Sequence, residues 1–230
     1  MDVRPGTIAV YSDVGCPWSH VAVFRLLRAR HTAGLDDAVT LDHRPFLLEE
    51  VNRQATPRRV LEAEIPVLAN LEPDAGWQVW PRSPYEWPVT TLPAMEAVQA
   101  AKAQGLRASE TLDRALRVAF FRDGRCISLR HVVVDVAREA DGVDGDVVAR
   151  ALDDGSARAV LMREFASARE VAKGSPHVFL ADGTDAANPG VEMHWEGRHG
   201  HGFPRVDADD PSVYDALVKR AAATEPGDRP

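Results

Sequence analysis

Alternation and helical periodicity divide the chain into three stretches. Residues Thr7 to Ser12, TIAVYS, are rich in β-branched and aromatic side chains and run into the turn Asp13-Val14-Gly15, the pattern of a strand followed by a loop. Val21, Phe24 and Leu27, with Val23 and Leu26, then recur at helical spacing beside Arg25 and Arg28. Pro17 suits the first turn of that helix, where its missing N–H has no intrahelical partner to lose. Cys16 therefore falls at the helix N-terminus. Residues 39–46, VTLDHRPF, set Val39 and Leu41 against Thr40 and Asp42 and predict a second strand.

In the middle, four segments each open on a capping residue and continue with a 3.6-residue apolar period. Thr91 precedes Leu92, Met95 and Val98; Ser109 precedes Leu112, Leu116, Ala119 and Phe120; Ser128 precedes Leu129, Val132, Val133 and Val136; Ser156 precedes Val160, Leu161, Phe165 and Ala168. A shorter helix is predicted from Asp144 through Val147, Val148 and Leu152. The stretch 73–93 breaks any period with five prolines and with Trp77, Trp80 and Trp87, and reads as a long ordered loop or lid. After Gly174 the period returns to two. Residues 177–180, HVFL, a turn at Asp182-Gly183, and Val191, Met193 and Trp195 alternating with Glu192, His194 and Glu196 fit two antiparallel strands. A last helix starts at Ser212 with Val213, Leu217 and Val218, and the tail TEPGDRP is expected to fray.

Composition narrows the function classes. Forty-five per cent hydrophobic and 27% charged residues in 230 describe an ordinary globular chain long enough to bury a real core. Thirty-five acidic against 27 basic residues give a net charge of −8, which repels a phosphate backbone and argues against nucleic acid as a partner. No run reaches the ~20 apolar residues of a membrane span, and the opening MDVRPGTIAV lacks a basic start followed by a long apolar stretch, so the expected location is the cytoplasm, away from any membrane. Two cysteines, Cys16 and Cys126, are too few for a secreted disulfide framework.

The chemistry concentrates at Cys16-Pro17-Trp18-Ser19. A thiolate is the nucleophile, and unpaired N–H groups at a helix N-terminus lower a thiol's pKa. Trp18 offers a flat apolar surface, Ser19 a hydroxyl one turn away, and His20 a further polar neighbour. The bland alternative is a half-buried cysteine that merely caps a helix.

Taken together, the strand ending Tyr11-Ser12-Asp13, the Cys16-Pro17-Trp18-Ser19 motif, a helical insertion and then Gly174-Ser175-Pro176-His177-Val178-Phe179 resemble the DsbA-like thioredoxin superfamily, FrnE-type oxidoreductases in particular. The resemblance spans nearly the whole chain. It implies an α/β thioredoxin-like fold built from residues 1–46 and 173–230, with an α-helical domain of 47–172 inserted. It makes Cys16, with Ser19, the catalytic pair. Pro176 becomes a cis-proline facing Cys16, and Pro17, Trp18, Ser175, Pro176 and His177 contact the substrate. One departure matters: the second cysteine of the family motif is replaced by Ser19, so a local disulfide cannot form. A mixed disulfide at Cys16 must then be resolved by an external thiol or by Cys126, or the chemistry is not redox.

The expected activity is thiol–disulfide exchange through one cysteine, with a thiol-bearing small molecule or protein as substrate. No tightly held cofactor is expected, only a low-molecular-weight thiol as co-substrate, and a homodimer is left open. Two rivals stand beside it: a thiol-dependent isomerase or transferase of the 2-hydroxychromene-2-carboxylate isomerase or kappa glutathione transferase type, and a non-catalytic protein that keeps the thioredoxin cleft for binding. Other constellations read blandly. His194, His199 and His201 sit in a glycine-rich turn without a cysteine partner, so no metal is expected. Arg44, Arg58, Arg59 and Arg82 read as solvated, and Trp77, Trp80 and Trp87 as anchors of the proline-rich loop.

Overall fold

A computed structural model describes residues 2–223. The chain opens with strand β1 (Thr7–Ser12), helix α1 (Pro17–Thr32) and strand β2 (Thr40–Pro45). After α2 (Leu48–Asn52) and α3 (Arg58–Leu71) come two 3₁₀ turns, Pro73–Ala75 and Pro84–Glu86, inside the proline-rich loop. The helical block continues with α4 (Leu92–Lys102), α5 (Leu106–Phe121), α6 (Arg130–Glu139), α7 (Gly145–Asp153) and α8 (Ser156–Val171). Strands β3 (His177–Phe179), β4 (Asp185–Ala187), β5 (Val191–Glu196) and β6 (Phe203–Asp209) precede α9 (Ser212–Ala223). The tail 224–230, expected to fray, lies outside the described residues.

Four strands form one sheet in the order β2-β1-β3-β4, with β1 parallel to β2 and antiparallel to β3. Every residue of β1 is buried, as a central strand covered on both faces requires. On one face Ile8, Val10, Leu26, Val178, Leu217 and Val218 form a core between the sheet, α1 and α9. On the other, α5 and α8 pack against β2, and Phe46 meets Phe165 edge to face. The helices enclose a second, larger core around Met95, Leu112, Leu116, Phe120, Val133, Leu161 and Phe165. This is the α/β thioredoxin-like arrangement with many added helices.

Several expectations change here. The strands 177–180 and 191–196 do not pair with each other. The first pairs with β4, and the second forms a separate hairpin with β6. Asn188 at φ +45° and Gly190 at φ +70° turn the chain away between them, and a Cβ on Gly190 would sit 2.2 Å from the Asp210 carbonyl oxygen. The glycine-rich segment 197–202 is the bend of that second hairpin. β6 itself buries only Pro204, so it carries no apolar alternation to read.

Several of the predicted helix caps also shift. Ser128 spends its hydroxyl on the Thr90 carbonyl, 2.6 Å away, and Leu129 takes the cap position. Thr91 does occupy the cap of α4, but its hydroxyl reaches Asp13 rather than its own helix. Ser109 lies buried inside α5, which opens three residues earlier at Leu106 after Gly105 at φ +130°. Ser156 is the first residue of α8, with Gly155 as its cap. Asp144 caps α7 as the pattern predicts, accepting from the Asp146 and Val147 N–H groups. The Thr91 hydroxyl, which could have closed its own helix, instead ties the helical block to the loop before Cys16.

Candidate active site

That loop is built around Asp13, which is 1% exposed. Its carboxylate accepts from the Gly15 N–H (2.8 Å), the Leu48 N–H (3.0 Å) and the Thr91 hydroxyl (3.1 Å). Its carbonyl accepts from the Cys16 N–H and from Arg117 Nη1, both at 3.1 Å. Arg117, itself 1% exposed, also reaches the Ser12 hydroxyl (2.9 Å) and is neutralised by Asp113, whose Oδ1 lies 2.6 Å from Nε. A buried guanidinium is tolerated because it is paired and its donors are used. Asp13 was legible only as a turn residue and motif member, and Arg117 carried no signal beyond a charge on an apolar helix face.

Cys16 occupies the N-cap of α1 and is 3% exposed. Its Sγ lies 3.2 Å from the Ser175 carbonyl oxygen, to which the thiol donates. The Ser175–Pro176 peptide is cis. The Ser175 hydroxyl accepts from the Asp13 N–H at 3.0 Å and shares a 2.6 Å hydrogen bond with the Ser19 hydroxyl. Residues 159 positions apart in sequence thus meet at one sulfur.

The expectation of a depressed Cys16 pKa is corrected. Burial pushes the thiol above its ordinary value; hydrogen bonds from the Ser175 and Ser19 hydroxyls and the Ser19 N–H oppose this, while the Glu64 charge adds to it. Desolvation outweighs the helix N-terminus because a thiolate at this depth forfeits nearly all of its water. The resting group is therefore a thiol, consistent with its donation to Ser175.

The sulfur opens onto a cleft of about 490 Å³. Pro17, Trp18 and Ser175 line it on the Cys16 side, α3 contributes Arg59, Val60 and Glu64, and the second hairpin adds Met193, Trp195 and His199. Glu64 is the residue that sequence reading missed. It is 6% exposed and accepts from Trp18 Nε1 at 2.8 Å. Desolvation raises its pKa to about 7, with the Trp18 hydrogen bond pulling the other way. Its signal was a lone charge on the apolar face made by Val60, Leu61, Ile65 and Leu68 of α3.

Four residues named from the sequence lie outside the cleft lining. His177, on the interior strand β3, is fully buried. Its Nδ1 accepts from the Lys173 N–H, its Nε2 lies 2.7 Å from Asp185, and it does not line the cleft. Pro176 is buried behind Ser175, which presents the exposed face of the turn. His20 is stacked on Phe121 and donates from Nε2 to the Ala75 carbonyl. Burial lowers its pKa to about 3, so it is a neutral packing group. Cys126 packs half-buried against the helical core, and the structure does not bring it to the cleft.

The remaining constellations have partners. His194 pairs with Asp207, His199 stacks on Trp195, and His201 lies beside Arg59. Among the described residues, no group of three His, Cys, Asp or Glu is placed to hold a metal. Arg44 bonds Asp42 and the Asp2 carbonyl, Arg58 pairs with Glu62, and Arg82 donates to the Gly124 carbonyl. Trp80 and Trp87 pack on each other and on Phe120, and Trp77 on Phe121, anchoring the proline-rich loop. No helix among the described residues is long and apolar enough to cross a membrane.

Comparison with known proteins gives a consistent picture. A model of the DSBA-like thioredoxin domain matches residues 7–197. No curated protein matches the chain. Among solved structures, the cytosolic disulfide reductase DsbM from Pseudomonas aeruginosa, solved also with GSH, is similar at a TM-score of 0.63 and 19% identity over 94% of this chain and 95% of that one. A candidate DsbA oxidoreductase from Streptomyces coelicolor gives 0.69 and 19% over 96% and 92%. A 2-hydroxychromene-2-carboxylate isomerase gives 0.58 and 16% over 78% and 87%. At such identities the likeness establishes the fold.

Proposed function

The chain belongs to the DSBA-like thioredoxin domain family, and on that premise we propose that it is a thiol–disulfide oxidoreductase acting through Cys16 alone. In this reading a low-molecular-weight thiol is the co-substrate and the mixed disulfide the intermediate. The observation that carries it is the Cys16 sulfur held 3.2 Å from the carbonyl of the cis Ser175–Pro176 turn at the end of a substrate-sized cleft, with a serine where a second sulfur would stand. A partner sulfur docking along the Ser175 backbone displaces the S–H from that carbonyl. The thiol loses its proton to solvent, and the Ser19 N–H and the two hydroxyls hold the resulting thiolate.

The sulfur then attacks a disulfide R–S–S–R. The Cys16–S bond forms as the S–S bond breaks, one RS⁻ leaves and takes up a proton, and a second external thiol later restores Cys16. With Cys126 packed against the helical core, resolution from outside is the reading supported, and it suits a reducing compartment such as the cytosol in which DsbM is described. The FrnE-type likeness of the Tyr11-Ser12-Asp13 and Cys16-Pro17-Trp18-Ser19 stretches is part of the same proposal. Glutathione-dependent reduction of 2-hydroxyethyl disulfide tests it: the wild type turns over, Cys16→Ala does not, and activity retained by Cys16→Ala would end the reading.

The second reading, a thiol-dependent isomerase or transferase, draws on one observation: burial keeps Cys16 a thiol, as a group that orients a bound thiol would be. It predicts turnover of a small electrophile without any adduct on Cys16.

A further inference from the structure

Glu64 is a buried acid in a cleft that has no ion-pairing partner for it. Its one hydrogen bond comes from Trp18 Nε1, and among the described residues no Lys, Arg or His lies within ion-pair distance. Elsewhere this chain pairs most of its buried carboxylates with a cation: Glu72 with Arg25 and Arg28, Asp113 with Arg117, Glu96 with Arg158, Glu110 with Arg30. A buried charge left without a counterion is costly. Among the described residues two buried carboxylates lack a cation: Asp13, which the Gly15 N–H, the Leu48 N–H and the Thr91 hydroxyl hold, and Glu64, which has Trp18 alone and lies on the wall of the cleft that also holds the Cys16 sulfur.

We propose that Glu64 selects the co-substrate of Cys16 by pairing with a protonated amine carried near the sulfur, so that the preferred thiols and disulfides are aminothiol derivatives. The inference rests on Cys16 as the attacking sulfur. The indole of Trp18, two residues after Cys16, fixes one carboxylate oxygen and leaves the other for the ligand. Trp18, Met193 and Trp195 supply apolar walls, which exclude water and strengthen a charge pair formed between them.

The other titratable groups of the cleft are Cys16, Arg59 and His199. Arg59 is the opposing charge, but it is exposed at the rim, where solvent and salt screen it, while Glu64 is 6% exposed. The buried charge therefore dominates for a ligand that reaches the sulfur. An amine bound there holds Glu64 ionised. Because burial places its titration at about 7, the preference for cationic ligands is weak below that pH and grows as pH rises through it.

The test measures mixed-disulfide formation at Cys16 by intact mass, with cystamine (cationic), 2-hydroxyethyl disulfide (neutral) and 3,3′-dithiodipropionate (anionic). Each rate is divided by that of N-acetylcysteine with the same disulfide, which removes differences in leaving-group chemistry. The wild type at pH 8 is expected to favour the cationic over the anionic disulfide at least about tenfold, the scale of one partly buried ion pair. The ratio should shrink at pH 6. Glu64→Gln, which keeps the acceptor for Trp18, should bring the cationic-to-anionic ratio close to one. Equal normalised rates in the wild type at pH 8 overturn the inference whether or not the variant folds, as does a ratio that Glu64→Gln leaves intact. Absence of any Cys16 adduct with all three disulfides instead overturns the underlying reading of Cys16.

Discussion

Replacing Ser175 with alanine isolates the contact that joins the two halves of the site. The change removes one oxygen. That oxygen accepts the buried Asp13 N–H at 3.0 Å and shares a 2.6 Å hydrogen bond with Ser19, while the Ser175 carbonyl facing Cys16 stays in place. Leaving one buried N–H without an acceptor costs about 1–3 kcal/mol. A central loss of about 2 kcal/mol lowers the melting temperature by about 4–8 °C in a chain of this size.

The same substitution removes a hydroxyl that favours the Cys16 thiolate. A hydrogen bond to a charged group is worth about 1.5–3 kcal/mol, so the thiolate fraction falls roughly tenfold or more. The more basic thiolate is also more nucleophilic, with a Brønsted slope of about 0.4–0.5, which returns about three- to tenfold across that range. Iodoacetamide alkylation of Cys16 should therefore slow roughly four- to twentyfold at pH 8, with Cys126 as internal control. Thermal unfolding with peptide-resolved alkylation reads both effects. Wild-type stability together with wild-type alkylation would refute the reasoning, because it would mean that Ser175 ties neither the loop nor the thiol.

Further predictions follow from the buried charges and the second thiol. Arg25, 1% exposed, holds Glu72 at 2.7 Å and Asp209 at 2.5 Å, bridging α1 to the second hairpin; Arg25→Leu should destabilise by about 3–5 kcal/mol in urea unfolding, and a loss below about 1 kcal/mol would show the pairs to be incidental. His20 is held neutral down to about 3 in the folded state while the unfolded chain protonates near 6.5, so stability is lost as pH falls between those values, by an amount on the order of 5 kcal/mol. His43, also depressed by burial, adds in the same direction, and His20→Phe should flatten the slope of urea midpoint against pH from 6.5 to 4. Cys126→Ser should release a Cys16 mixed disulfide with added glutathione at the wild-type rate, measured by intact mass; a clear slowing would make Cys126 a resolving thiol.

The sequence disclosed the parts of the fold whose pattern is local. β1, α1 and its proline, the position of Cys16, and the cap of α7 by Asp144 needed only alternation, periodicity and short-range hydrogen bonding. The helix starts at Ser109, Ser128 and Ser156 were misread because a serine before an apolar run looks the same whether it caps the helix, sits inside one that opens earlier as Ser109 does, or serves a distant partner as Ser128 does. β6 was missed because a hairpin strand that buries one residue leaves no alternation. At the site, local pattern brought Cys16 and Ser19 into view, and the resemblance added Ser175. Glu64, Arg117 and the several bonds of Asp13 were hidden, since many of the groups that hold them, such as Trp18 on Glu64, Ser12 on Arg117 and Leu48 and Thr91 on Asp13, lie tens of residues away. His177 fails as a cleft residue for the complementary reason: β3 turns alternate residues to opposite faces, and the one after the proline faces inward to Asp185.

The central claim is that Cys16 alone carries the exchange chemistry. Its most direct test is peptide mapping of the protein after reaction with a small disulfide, followed by release with added thiol. The account predicts one adduct per chain, on Cys16, removed completely by the thiol. No adduct on Cys16, or an intramolecular Cys16–Cys126 disulfide in its place, would contradict it.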